Sequence, residues 1–109
     1  SGEYRRYTAR LQQMVRERAR QLNSLLEEHL ADIATWKRGE GLFFWVKFNE
    51  YIDAQKIADN TDGLTLSEYS QYAFAEHNSI FISLMGINAA DMPGAIELLS
   101  KIARKSIRV

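Results

Sequence analysis

The first third of the chain carries apolar residues at intervals of three and four positions, a spacing typical of one face of an amphipathic helix. This pattern predicts a helix over residues 4–33, which at 1.5 Å per residue is about 45 Å long. Because a domain of this size cannot cover such a helix, we expect its first half to project, with an apolar face that needs a partner. The apolar positions are Tyr4, Tyr7, Leu11, Met14, Val15, Leu22, Leu25, Leu26, Leu30 and Ile33.

The clearest strand is predicted at residues 42–48, a run of large β-forming residues that follows two glycines suited to a sharp turn. Residues 35–40 before it are predicted to be a connector, with Trp36 covering the core. Two further strands are predicted at residues 64–66 and 79–85, on either side of a loop rich in tyrosine, glutamine and serine.

Two more helices complete the predicted fold. Asp53 can cap a short helix, because its carboxylate can accept hydrogen bonds from the free amides of the first turn. Asn88 or Asp91 can cap the last helix, and Pro93 suits its first turn. The order of elements predicts an α+β fold with a small three-stranded sheet covered on one face by helices. The buried stripe of the last helix is predicted to be Ile96, Leu99, Ile102 and Ala103.

The composition narrows the functional classes without selecting one. The chain has 109 residues, 46% hydrophobic and 26% charged, as expected for one globular domain. It has no cysteine, which excludes disulfides, thiolate zinc sites and cysteine nucleophiles. No apolar run approaches the length of about 18 residues that a membrane span needs, and no signal-peptide pattern is present. We therefore expect no membrane partner and a cytoplasmic location.

The formal net charge is zero, but the charges are unevenly distributed. Residues 1–20 hold six arginines and two glutamates, residues 101–109 hold four basic side chains, and the middle of the chain is acidic. The terminal helices could bind nucleic acid, or they could be solvated faces that pair with acidic neighbours. The second interpretation is favoured, because no recognised nucleic-acid-binding motif accompanies the arginines.

The residues offer few candidates for chemistry. His29 lies on the helical stripe, which favours a packed or interface histidine, and His77 lies in the predicted loop, which favours an exposed one. Neither has a partner at metal-ligand spacing, and no nucleophile elbow or phosphate-binding loop is present. The loop aromatics could form a ligand wall, although anchoring of the loop to the core is the favoured interpretation. These aromatics are Tyr69, Tyr72 and Phe74.

Four segments together carry a resemblance to a known family. They are the arginine-rich start of the first helix, then GEGLFFWV at 39–46, GLTL at 63–66 and NSIFISL at 78–84. In this order they resemble the C-terminal small domain of fold-type I, pyridoxal-phosphate (PLP)-dependent aminotransferases. The aminotransferase-like half of MocR-type transcription regulators is the most similar. The strands resemble the family's Gly-Gly-Leu-Phe-x-Trp, "GV-x-V" and "N-x-I-R-L-S-F" segments, and the first of these is the most specific.

The resemblance implies a ligand site that differs from the usual one. In the family, an arginine of the penultimate strand binds the substrate carboxylate through a bidentate fork, and here that position is Phe81. The loop that usually reads Pro-Gly-x-x-Phe keeps only Phe74. The candidate substrate-binding residues by family position are Phe81, Phe74 and Tyr69. The loss of the arginine implies a parent protein that senses an effector, or one that acts on a ligand not anchored there by its carboxylate.

The resemblance also implies what the chain lacks. The cofactor lysine and the phosphate-binding groups belong to the family's large domain, so we expect no catalytic, cofactor-binding or metal-binding residue here and no activity of the chain alone. The parent is expected to bind PLP through its large domain, to be homodimeric, and to bind DNA only through a separate upstream domain.

Two hypotheses follow. The first is a small domain produced as a fragment, with Ser1-Gly2 a vector-derived remnant. The second is a free-standing α+β interaction module whose basic N-terminal helix binds a protein or a nucleic acid.

Overall fold

A computed structural model describes residues 2–39, 42–60 and 78–108 of the chain. Within these ranges, three helices and three strands form an α+β fold with a long N-terminal helix, which confirms the predicted class. The elements are α1 (Gly2–Leu30), β1 (Ala34–Arg38), β2 (Phe43–Phe48), α2 (Ala54–Asp59), β3 (Ser79–Ser83) and α3 (Met92–Lys105).

Helix α1 has 29 residues, and its second half contributes most of its buried surface. Tyr7 is 67% exposed and Leu11 is 37% exposed, as expected for a projecting first half. The side chain of Tyr4 lies outside the described part of the chain. The molecule is accordingly elongated, with extents of 57 × 25 × 23 Å. The buried residues of α1 are Val15, Ala19, Leu22, Leu26 and Leu30.

The three described strands form an antiparallel sheet in the order β1-β2-β3. Val46 of the central strand lies opposite Trp36 on one side and Ile80 on the other. The predicted strand at 42–48 is thus confirmed as β2, and the strand at 79–85 is confirmed over Ser79–Ser83 as β3. The strand predicted at 64–66 lies outside the described residues.

Strand β1 corrects the prediction of a connector at residues 35–40. Four of its five residues are at least partly exposed, so the segment carries too few apolar residues to produce a clear strand pattern. Its strand structure depends on pairing with β2 along its whole length. Trp36 is a strand residue packed against the core, and its indole Nε1 donates a hydrogen bond to Asn23 Oδ1 at 2.8 Å.

The described helices pack on one face of the sheet, and the hydrophobic core lies between the two layers. Alternate strand residues point into this core because successive side chains of a strand lie on opposite faces. Leu22 and Leu26 of α1 and Leu99 of α3 are at most 1% exposed on the helical side. The strands contribute Ala34, Phe44, Val46, Phe48, Ile80 and Ile82 to the core.

Local hydrogen bonds stabilise the N-termini of α2 and α3. Asp53 caps α2 as predicted, since its Oδ1 accepts a hydrogen bond from the Gln55 amide at 2.9 Å. At α3 both predicted residues take part. Asp91 occupies the N-cap position without a side-chain cap, while Asn88 Oδ1 accepts from the Asp91 amide at 3.0 Å. Pro93 lies in the first turn. Of the predicted α3 stripe, Ile102 alone is only partly buried.

Candidate functional site on the far face of the sheet

The face of the sheet that points away from the described helices is called the far face here. Its members alternate with the core residues of each strand, and the strand register places them in rows. One row runs from Lys37 through Trp45 to Phe81, and a second runs from Thr35 through Lys47 to Ser79. The remaining pair is Phe43 with Ser83.

Phe81 is the described member of the three site residues expected from the sequence. It lies at the middle of β3 on the far face and is half-buried. Tyr69 and Phe74 lie outside the described residues.

Aromatic rings surround Phe81 on the far face. The Trp45 ring meets it edge-on with 5.1 Å between centroids, and the Phe43 ring lies at 6.2 Å and 55°. Both distances fall within the range in which aromatic pairs attract each other. The Trp45 indole Nε1 also donates a hydrogen bond to the hydroxyl of Ser79, which satisfies the polar atom of a partly buried ring. Phe81 therefore belongs to an aromatic cluster whose tryptophan is fixed in orientation.

Two lysines lie beside this aromatic cluster. The Lys37 Nζ is 5.4 Å from the centroid of the Trp45 ring, a cation–π contact, and Lys47 is the next far-face residue of β2. A cavity of about 400 Å³ lies at this edge of the sheet. It is lined by Thr35, Trp36, Lys37, Trp45 and Lys47.

His29 does not lie at this site. His29 lies on the helical layer, its side chain is 25% exposed, and its Nε2 is 3.8 Å from Glu28 Oε2. Its position agrees with the favoured interpretation of a packed residue, whereas His77 lies outside the described ranges. Among the residues that the structure describes, no cluster of three or more histidine, aspartate and glutamate side chains could hold a metal ion.

Among the described ion pairs, the shortest joins Asp32, which follows α1, to Arg104 of α3. The Arg104 guanidinium forms two hydrogen bonds to the Asp32 carboxylate, at 2.8 and 2.9 Å. These bonds lower the pKa of Asp32 from 3.8 to about 2 and raise the pKa of Arg104. Arg104 also donates to the backbone oxygen of His29 at 2.7 Å. This contact joins two helices, and nothing in it suggests a site for chemistry.

The sequence proposed Phe81 as a candidate but did not propose the residues that surround it in the structure. Alternation along β2 alone could have placed Phe43, Trp45 and Lys47 on one face. Lys37 could not have been added, because the segment that contains it was predicted to be a connector. Pairing of β1 with β2 brings Lys37 to Trp45.

No family model and no curated protein matches the chain. In the part of the chain that the structure describes, no helix combines the length and the apolar character required to cross a membrane.

Proposed function

We propose that the chain is the small domain of a PLP-dependent aminotransferase-like protein or of a MocR-type regulator, where it helps to close the ligand and cofactor site. The observation that carries the proposal is the far face of the sheet. Phe81 lies there beside Trp45 and Phe43, at the position where the resemblance expects the carboxylate-binding arginine. An aromatic cluster at that position can exclude water from a ligand but cannot form the bidentate fork of an arginine.

Two further features support the proposal. The described helices pack against the opposite face of the sheet, so within the described part of the chain no helix lies between the far face and a second domain. The first half of α1 projects with Tyr7 and Leu11 exposed, as expected for a helix that continues from one domain into another.

In this proposal PLP is bound by the large domain of the parent, and that domain is the main partner of the chain. The cofactor supplies the electron sink for amino-acid chemistry when bound. A PLP site combines a lysine that carries the cofactor with an aspartate or arginine at its pyridine nitrogen, and the described far face has lysines but no aspartate, glutamate or arginine. The described far-face residues therefore do not fit the cofactor by themselves, and no catalytic step is assigned to them. The parent would be a cytoplasmic homodimer, with any DNA binding in a separate upstream domain.

The test uses the full-length parent and the substitution Phe81→Arg. Restoring the guanidinium should strengthen the binding of ordinary amino acids by about tenfold or more, because a charge-assisted bidentate contact is gained. Amino-acid binding would be followed by the change in absorbance of the bound cofactor. Thr35→Arg is the matched control, since it adds the same side chain to the far face on a different strand. Equal effects of the two substitutions, or no gain with Phe81→Arg, would contradict the proposed correspondence.

The second candidate is a free-standing interaction module, and the exposed arginines of the projecting helix favour it. Arg5, Arg6 and Arg10 are all exposed on the first half of α1. If this segment binds nucleic acid, filter binding at low salt should show an affinity that falls steeply as salt is added. Replacing the three arginines by glutamine should abolish that binding, whereas replacing Lys101 and Lys105 of α3 should not. A native reading frame of about this length would favour the module, and an upstream lysine-bearing domain would favour the first proposal.

A further inference from the structure

The two far-face lysines are neighbours across β1 and β2. Lys37 lies opposite Trp45 and Lys47 lies opposite Thr35, so the lysines are diagonal partners on the same face. Diagonal partners of an antiparallel pair are about 7–8 Å apart at the backbone, within reach of long side chains. Both side chains are flexible enough to bring their ammonium groups to one anionic group between them.

The positive charge of this pair is not neutralised by the described protein. The ion pairs of the described residues involve other side chains, and neither Lys37 nor Lys47 has a carboxylate within ion-pair distance there. Two neighbouring ammonium groups repel each other, and an anion placed between them removes that repulsion. The site is therefore electrostatically suited to an anion.

Trp45 makes the site more specific than a pair of surface lysines. The indole ring holds the Lys37 ammonium at 5.4 Å from its centroid. The contact uses the charge of the ammonium and leaves its N–H donors available to a ligand. The ring is itself held by its hydrogen bond to Ser79. One wall of the cavity is thus apolar and fixed, and the hydroxyl of Thr35 adds a donor at the rim.

We propose that this cavity binds a small organic anion, with a carboxylate or phosphate group between Lys37 and Lys47 and an apolar group against Trp45. The volume of about 400 Å³ lies within the range of small-molecule sites. The inference goes beyond the proposed function and does not depend on it, because every group involved belongs to this chain. It can be tested without PLP or a large domain.

The experiment uses the unsubstituted 109-residue chain and follows the fluorescence of its two tryptophans, Trp36 and Trp45, both of which line the cavity. The probes are phenyl phosphate and benzoate, compared with benzyl alcohol, which lacks the charge, and inorganic phosphate, which lacks the ring. We expect saturable changes in fluorescence with the two aromatic anions, weaker binding of inorganic phosphate, and no saturation with the alcohol. The tighter of the two aromatic anions identifies the preferred anionic group.

Lys37→Met and Lys47→Met should each weaken binding by about two- to fivefold. The control is Lys101→Met, which removes an exposed charge from α3 on the other layer of the molecule. Calorimetric titration of the same variants checks the affinities independently of any change in tryptophan fluorescence. The proposal is wrong if Lys101→Met weakens binding as much as the two far-face substitutions, if inorganic phosphate binds as tightly as phenyl phosphate, or if no probe saturates.

Discussion

Asn78 connects three segments through a single side chain. Its Oδ1 accepts hydrogen bonds from the Ala54 amide and from Arg108 Nη2, both at 3.0 Å. Its Nδ2 donates to the backbone oxygens of Phe48, Asn49 and Ile52 at 2.9 to 3.3 Å. The backbone of Asn78 has a φ of 52°, in the left-handed region that asparagine tolerates better than most residues. The residue immediately before β3 thereby fixes the end of β2, the start of α2 and the C-terminal segment.

Replacing Asn78 by alanine should lower the free energy of unfolding by about 2–4 kcal/mol, because several hydrogen bonds are lost and alanine is strained at positive φ. Asn78→Gly should cost less than Asn78→Ala, since glycine adopts the same backbone conformation without strain. Urea unfolding measures the free energy of unfolding of both variants. Asn49→Ala is the control, because the exposed Asn49 side chain makes only contacts of 3.4 to 3.5 Å. A loss as large for Asn49→Ala as for Asn78→Ala would contradict the assignment.

Helix α1 has one continuous apolar stripe, but the protein covers only part of it. Leu26 is fully buried in the core, while Leu11, near the other end of the same stripe, is 37% exposed. The helix crosses from the core into solvent at about Val15, which is the first buried residue among the described side chains of its stripe. Stability should therefore depend strongly on position along a single helix.

Leu26→Ala should lower the free energy of unfolding by about 3 kcal/mol, because it leaves a cavity in a packed core. Leu11→Ala, the same chemical change on the same helix, should cost less than about 1 kcal/mol. Denaturant unfolding of the isolated chain makes the comparison. Similar losses for both leucines would show that the first half of α1 is covered in solution, which would favour self-association over a projecting helix.

At the scale of the whole molecule, hydrogen bonds hold the end of α1 against α3 in the helical layer. Ser100 Oγ and Arg104 Nη2 both donate to the backbone oxygen of His29, at 3.0 and 2.7 Å. These bonds satisfy a carbonyl at the end of α1 that has no partner within the helix. The Asp32–Arg104 pair lies beside them. The helices are thus connected by a partly exposed polar network at the edge of a common core.

The stability of the molecule should depend on pH through Asp32. The folded-state pKa of about 2 lies below the usual 3.8, so the ionised carboxylate stabilises the fold. This contribution is complete above about pH 4 and is lost as the pH falls toward 2. Asp32→Asn should therefore lower the thermal midpoint at neutral pH, and the difference from the unsubstituted chain should shrink through that window.

Glu97→Gln is the control, because Glu97 forms only an exposed pair with Lys101 at 3.6 Å. Its midpoint should follow that of the unsubstituted chain at every pH. High salt should reduce the effect of Asp32→Asn, since both members of the Asp32–Arg104 pair are substantially exposed. A difference that persists unchanged at low pH would contradict the role assigned to the carboxylate.

Much of the architecture was predictable, because a helix or strand that is buried on one side has apolar residues at regular intervals along the sequence. The stripe of α1, the apolar run of β2, the Asp53 cap and the stripe of α3 are local features, and each was recognised from neighbouring residues alone. Strand β1 was missed, because Lys37 and Arg38 are exposed and its structure comes from pairing with β2. The sequence also placed Phe81 in a strand, through its apolar neighbours and through a resemblance to a known family.

The surroundings of Phe81 were decided only by the tertiary structure. Strand register joins residues far apart in the chain, and it brings Lys37 and Phe81 to opposite sides of Trp45. A shift of one residue would move every one of these side chains to the other face. The amino-acid pattern was therefore enough to predict most of the segments that fold into helices and strands. Pairing between strands was needed to create the aromatic cluster and the cavity with its two lysines.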